Sequence, residues 1–96
     1  MGLYVYILQC RDRSYYVGMA GNIEQRLQEH NTGVLGGYTA KRLPVNLVYL
    51  KYTGSYENTL KVETQIKKWS RAKKEALIRG DIKSLKKLSK KLFSSV

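Results

Sequence analysis

The sequence predicts an α+β fold, a small antiparallel three-stranded sheet flanked by helices in the order β-β-α-β-α-α-α. Three observations predict it. Two aromatic and aliphatic runs, Leu3 to Gln9 and Tyr15 to Gly18, stand either side of the short polar break Arg11-Asp12-Arg13-Ser14, the pattern of a hairpin. A third such run, Val45 to Tyr52, comes later and alone. Between and after these runs, apolar residues recur at helical rather than strand spacing. With 96 residues and 43% hydrophobic content, one domain over residues 1–96 is expected, with a thin core.

Taken in order, Leu3–Gln9 reads as a mostly buried strand, and Tyr15-Tyr16-Val17-Gly18 as its hairpin partner. Gly18 and Gly21 open a loop in which Asn22 is placed to cap a helix. Ile23, Leu27 and His30 then fall at i, i+4 and i+7, one face of a helix running to about Asn31. Gly33 ends it, and Gly36-Gly37 makes the following segment a mobile or tightly turned loop. After the strand Val45–Tyr52, Thr53-Gly54-Ser55 turns the chain, and Ser55 caps a helix over roughly residues 56–70 with Leu60, Glu63, Ile66 and Lys67 near one side. A third helix over Ala72 to Arg79 stops at Gly80. Asp81 caps a last, basic helix over residues 81–93, striped by Ile82, Leu85, Leu88 and Leu92.

Composition narrows the chemistry. One cysteine, Cys10, excludes an intramolecular disulfide framework, and one histidine excludes a His-rich metal site. A Cys10–His30 nucleophilic pair is conceivable, although Cys10 at the end of an apolar run has the plainer role of a small core residue. No run of 18 apolar residues spans a membrane, and Leu3–Leu8 lacks the flanks of a signal peptide, so the cytoplasm and a monomer are the expectations. The formal net charge of +11 asks for a polyanion, nucleic acid before a membrane surface. That charge is uneven: residues 1–48 carry five basic and three acidic side chains, net +2, and residues 49–96 carry thirteen and four, net +9.

Glu63 sits in the most basic part of the chain, on the same side of its helix as Ile66. A carboxylate turned toward a core needs a partner, either an i+4 salt bridge to Lys67 or a metal ion. Tyr6 and Tyr16 have the plain role of aromatic core residues, His30 that of a packed histidine, and Arg26 that of a partner for Glu29.

Together these residues carry a resemblance. Tyr4-Val5-Tyr6, followed after nine residues by Tyr16-Val17-Gly18, resembles the paired motif of the GIY-YIG endonuclease superfamily. Arg26 lies ten residues beyond Tyr16, His30 four further on, and Glu63 on a later helix, all at family spacings. Tyr38-Thr39-Ala40-Lys41-Arg42-Leu43-Pro44 and Lys73-Lys74-Glu75-Ala76-Leu77-Ile78 look like its small, single-domain bacterial branch, and the similar stretch covers residues 3–79. The chain departs from the motif at Tyr4, Val5 and Met19, and has no counterpart of a C-terminal asparagine found in larger members.

The resemblance implies a metal-dependent endonuclease hydrolysing phosphodiester bonds in DNA. Tyr6 is the implied general base, Tyr16 an orienting hydroxyl and Arg26 a phosphate clamp. Glu63 is the implied ligand of a single Mg²⁺ or Mn²⁺ ion. A phenol with an ordinary pKa near 10 is a poor base at neutral pH, so Arg26, the metal and His30 must favour its phenolate, or His30 must relay its proton. Lys61, Lys67, Lys68, Arg71, Lys73 and Lys74 flank Glu63 and are expected to neutralise neighbouring phosphates. The alternative is a module of the same fold that binds DNA or RNA and cuts weakly or not at all.

Overall fold

A computed structural model of the chain describes residues 2–88. Strands β1 (Leu3–Gln9), β2 (Tyr15–Ala20) and β3 (Asn46–Gly54) form one antiparallel sheet in the order β2-β1-β3. Helices α1 (Ile23–Asn31) and α2 (Gly37–Ala40) precede β3, and α3 (Tyr56–Lys67), α4 (Arg71–Arg79) and α5 (Ile82–Leu88) follow it. The expected α+β architecture stands, with one helix added.

Central position explains why β1 reads as a nearly unbroken apolar run: Val5, Tyr6, Ile7 and Leu8 are all buried, two on each face. One face gathers Tyr6, Leu8, Cys10 and Ala20 with Val45, closed by Ile23 and Leu27 of α1. The other gathers Val5, Ile7, Val17 and Ile66, closed by Trp69 in the α3–α4 link and by Leu77 and Ile78 of α4. The register sets Tyr6 opposite Gly18 and Leu8 opposite Tyr16. Both tyrosines of the motif therefore stand on the α1 face, because residues two apart along a strand share a side.

The hairpin turn is held by Cys10 N–H donating to the Ser14 carbonyl at 2.8 Å, with Arg13 at φ 71°. Each expected cap forms: Asn22, Ser55 and Asp81 accept from the N–H of Gln25, Asn58 and Ser84. Gly80 closes α4 at φ 70°, a left-handed position that glycine occupies without strain.

Several boundaries move. β2 continues through Met19 and Ala20, and β3 runs from Asn46 to Gly54 with irregular register against β1 at two points. The helix expected over 56–70 ends at Lys67, because Ser70 caps a separate α4 through the N–H of Lys73. On α3 the inward residues are Thr59, Glu63 and Ile66, whereas Leu60 is exposed. The segment after Gly36-Gly37 is α2, entered with both glycines at positive φ. In the last helix Leu85 is buried but Ile82 is exposed, so the expected stripe is broken at its start. Residues 89–93 of that helix, Leu92 included, lie outside the described residues.

Asn31 ties the two halves of the α1 face together. Its amide donates to the Val45 carbonyl at 3.1 Å, and its carbonyl accepts from the Val45 N–H at 2.8 Å. Val45 is 2% exposed, so without Asn31 both of its backbone groups lose their partner away from water. Asn31→Ala is expected to lower stability by about 1–3 kcal/mol, read as a shifted midpoint in urea unfolding.

Candidate active site

The site is built from the α1 face outward. Tyr6 is 1% exposed, yet its ring ends over Gly18 across the hairpin. A Cβ at position 18 would lie 2.5 Å from Tyr6 Oη, so the glycine of the second tripeptide is the space the first tyrosine occupies. The hydroxyl reaches α1, where it is 2.9 Å from His30 Nε2. The other ring nitrogen of His30, Nδ1, is 2.8 Å from Thr39 Oγ1 on α2. Tyr6, His30 and Thr39 thus form one buried hydrogen-bonded chain across strand, helix and helix.

Tyr16 flanks this chain. Its ring centroid is 5.1 Å from that of His30 and 6.4 Å from that of Tyr6. On its outer side it stacks with Tyr38 at 6.4 Å and 26°, and the Arg42 guanidinium covers the Tyr38 ring at 3.7 Å. Arg42 is held in turn by Asp12 at 3.0 Å. Arg26 stands one turn before His30. Its Nε meets Glu29 at 3.2 Å and its Nη1 reaches the Met19 carbonyl at 3.5 Å. Glu29 spreads this charge pair across a half-exposed surface, so the guanidinium keeps donors free for a further anion.

Burial pushes the Tyr6 hydroxyl up to about 12, with a neighbouring Tyr16 and Glu63 adding to the rise and Arg26 opposing it. Burial, with Arg26 beside it, holds the His30 imidazole below its ordinary value. Burial also raises the Cys10 thiol. Both His30 nitrogens are already taken by Tyr6 and Thr39, so the conceivable Cys10–His30 pair does not form. Cys10 is a core residue.

Glu63 arrives from the other face. It is 8% exposed on α3, and its Oε1 is 3.4 Å from Lys67 Nζ, the expected i+4 pair. The two faces meet round the free edge of β2. A groove of about 340 Å³ there is lined by Tyr15, Tyr16, Val17, Tyr38, Lys67 and Lys74. Among the described residues no three His, Cys, Asp or Glu side chains gather, so a metal ion held by Glu63 would have at most one other such ligand. That donor set suits a hard divalent cation that keeps most of its waters and takes substrate phosphate oxygens.

The basic residues divide. Lys67 and Lys74 face the groove, whereas Lys61 and Lys68 line a separate one of about 760 Å³ on the outer side of α3 with Tyr56 and Leu60. Arg71 pairs with Glu75 at 3.2 Å and covers the Tyr15 ring at 4.5 Å, and Lys73 lies 5.6 Å from the Trp69 ring. The six do not form one track. Thr39 and Asn31 are the polar residues that sequence reasoning passed over. Gly36-Gly37 was the available signal for Thr39, since paired glycines also mark a helix entered at positive φ.

The family model for the GIY-YIG catalytic domain matches residues 2–76. The chain belongs to the GIY-YIG family. A UPF0213 protein of Syntrophus aciditrophicus is 54% identical over 77 residues, 79% of this chain and 88% of its own length. The solution NMR structure of a UPF0213 protein from Bacillus halodurans superposes with a TM-score of 0.55 at 38% identity, covering 82% of this chain and 84% of that one. That of a protein from E. faecalis gives 0.60 at 35%, covering 83% and 85%. GIY-YIG membership brings a nuclease-like function, and these relatives' names add no activity to it. No described helix is long and apolar enough to cross a membrane.

His30 gives the GIY-YIG site a thermodynamic signature. The folded protein holds a lower imidazole pKa than the unfolded chain, so the unfolded state binds more protons as pH falls through about 6.5. Stability is expected to fall on acidification from about pH 7.5 to about pH 5.5. His30→Gln is expected to flatten that part of the profile in thermal unfolding.

Proposed function

We propose that the protein is a divalent-metal-dependent endonuclease that hydrolyses phosphodiester bonds in DNA. The observation that supports this most is the Tyr6–His30 hydrogen bond behind a basic groove lined by Tyr16 and by Lys67, the ion-pair partner of Glu63. Tyr6, as phenolate, takes a proton from the attacking water while the water oxygen bonds to phosphorus and the bond to the leaving oxygen breaks. Arg26 holds the charge that grows on the non-bridging oxygens, for which a guanidinium offers paired donors at any working pH. Tyr16 orients the water or phosphate next to Tyr6. His30 holds the Tyr6 oxygen in place. Glu63 would hold the Mg²⁺ or Mn²⁺ ion, which when bound supplies positive charge to the phosphate and the leaving oxygen.

Lys67 and Lys74 carry the flanking phosphates through the groove, and neither reads a base. Among the described residues the groove is an open edge with no base-reading element lining it, which suits flexible, branched or single-stranded DNA. Lys61 and Lys68 lie away from this path and contribute to longer-range attraction only.

The deciding measurement is nicking of plasmid, branched and single-stranded DNA, and of RNA at matched salt, with and without Mg²⁺ or Mn²⁺. Cleavage is expected only with the metal, and Glu63→Gln, Arg26→Ala and Tyr6→Phe are each expected to lower it by at least about a hundredfold. Full activity in those variants would remove the site assignment. Salt-sensitive binding that survives Glu63→Gln, with no cleavage under any metal, would identify a binding module instead. Preference for the RNA substrate would move the substrate class.

Binding itself is expected to weaken steeply with salt. Lys67→Ala and Lys74→Ala should each weaken it uniformly across sequences and reduce the slope of log affinity against log salt by about 1, measured by fluorescence anisotropy. Lys61→Ala is expected to leave that slope nearly unchanged.

A further inference from the structure

We infer that Tyr38 is a stacking platform for one unpaired base beside the scissile phosphate, so that the DNA taken by the site is single-stranded there. The inference rests on the reading of this groove as the path of the nucleic acid and adds the form of the substrate to it.

An exposed tyrosine says little by itself, since much of any protein surface is apolar. What marks Tyr38 is that its ring is 41% exposed and yet held in place. The Arg42 guanidinium lies over it at 3.7 Å, and Arg42 is itself fastened by Asp12 at 3.0 Å and by the Tyr38 carbonyl at 2.9 Å. A flat partner that arrives at such a ring has no rotamer left to freeze. The ring also has surface to offer. It stacks with Tyr16 at an interplanar angle of 26°, but fully overlapped rings touch at about 3.5–4 Å, and here the centroids are 6.4 Å apart. Part of each ring is therefore uncovered by the other, and both residues line the groove.

The surroundings suit a single nucleotide. Lys67 and Lys74 line the same groove, which joins ammonium groups for phosphates to aromatic rings for bases, the pairing that single-strand binding uses. Its volume of about 340 Å³ is that of a site for one small molecule, room for a base and its phosphate. A base within a duplex is covered on both faces by its neighbours and has none to give unless it is drawn out of the stack. A base in a single strand has. Every base carries a π-face, so stacking adds no sequence preference. Tyr16 links platform and site: its ring stands 6.4 Å from that of Tyr6 and 6.4 Å from that of Tyr38, so a base on Tyr38 lies close to a phosphate at Tyr6.

Fluorescence anisotropy on the full chain, without divalent metal so that nothing is cut, tests this with three labelled DNAs of one length: a single strand, a duplex and an abasic single strand. A merely basic surface prefers the duplex, which has the higher charge density. The single strand is instead expected to bind more tightly than the duplex, and about five- to a hundredfold more tightly than the abasic strand. Tyr38→Ala should lose a factor in that range on the strand with bases and nothing on the abasic strand. The slope of log affinity against log salt should not change, since no charge is removed. Tyr38→Phe should restore binding. Equal affinity of the wild-type protein for the strands with and without bases would overturn the inference, and that comparison needs no variant to fold. So would a folded Tyr38→Ala protein that binds as the wild type does, which would leave the ring as a cover for the buried Tyr6–His30–Thr39 chain. Metal-dependent cleavage lost in Glu63→Gln but indifferent to Tyr38→Ala would keep the endonuclease reading and remove the platform. Base-dependent binding through Tyr38 with no cleavage under any metal would keep the platform and remove the endonuclease reading.

Discussion

A phenol hydroxyl buried in so small a domain must be given partners, and the Tyr6–His30–Thr39 chain is where the fold meets that demand. Each link constrains a different element. Tyr6 lies on the central strand and needs Gly18 opposite it, which fixes the hairpin register. His30 must stand in the last turn of α1 at the right height, so the helix is capped by Asn22 and turns inward on Ile23 and Leu27. Thr39 has to come back onto that helix, which the two left-handed glycines before α2 allow. Asn31, next to His30, then fastens α1 to the start of β3 through both polar atoms of Val45.

Because the sheet has only three strands, β2 is an edge, and the site sits on it. An edge lets side chains from both faces approach one another without crossing a strand. Tyr16 and Tyr38 come from the α1 side, Lys67 and Lys74 from the helices on the other. The same economy explains the distribution of charge. The thin core takes the apolar faces of α3 and α4, and their remaining faces are left basic, two lysines toward the groove and the others away from it.

Local rules made most of this legible. The caps at Asn22, Ser55 and Asp81 and the stop at Gly80 depend on a few neighbouring residues, and they occur where short-range chemistry puts them. The helical face Ile23, Leu27, His30 is likewise a matter of spacing, and all three turn inward. What periodicity missed depends on partners distant in sequence. Asn31 is an exposed residue by area, and its importance lies wholly in Val45, fourteen positions on. Leu60 counts as apolar in any pattern, yet Thr59 takes the inward place, where its hydroxyl donates to the Ser55 carbonyl at 2.7 Å. A basic run likewise says how much charge a helix has, but its phase decides which lysines face the groove. Lys61 and Lys68 are seven apart and share a side, as do Lys67 and Lys74 across the break at Ser70.

The raised Tyr6 pKa is the strongest physical objection to a tyrosine base, and its causes also indicate how the objection is met. Burial is the main cause, and it acts on the protein without substrate. Glu63, although paired with Lys67, adds the smallest part of the rise, and on the proposed reading a cation held there would remove it. Arg26 already works in the opposite direction, and its pairing with Glu29 weakens it. In the proposed complex a substrate phosphate would compete with Glu29 for the guanidinium, and a cation held by Glu63 would leave Lys67 for the substrate. The Glu63 contribution would then diminish with a cation in place, whereas burial, the largest one, would remain. The His30 contact to the Tyr6 oxygen is held from behind by Thr39, away from the groove. On the proposed reading Tyr6 would be a poor base in the free protein, and only the positive charge brought to the site on loading would oppose the burial that holds its proton.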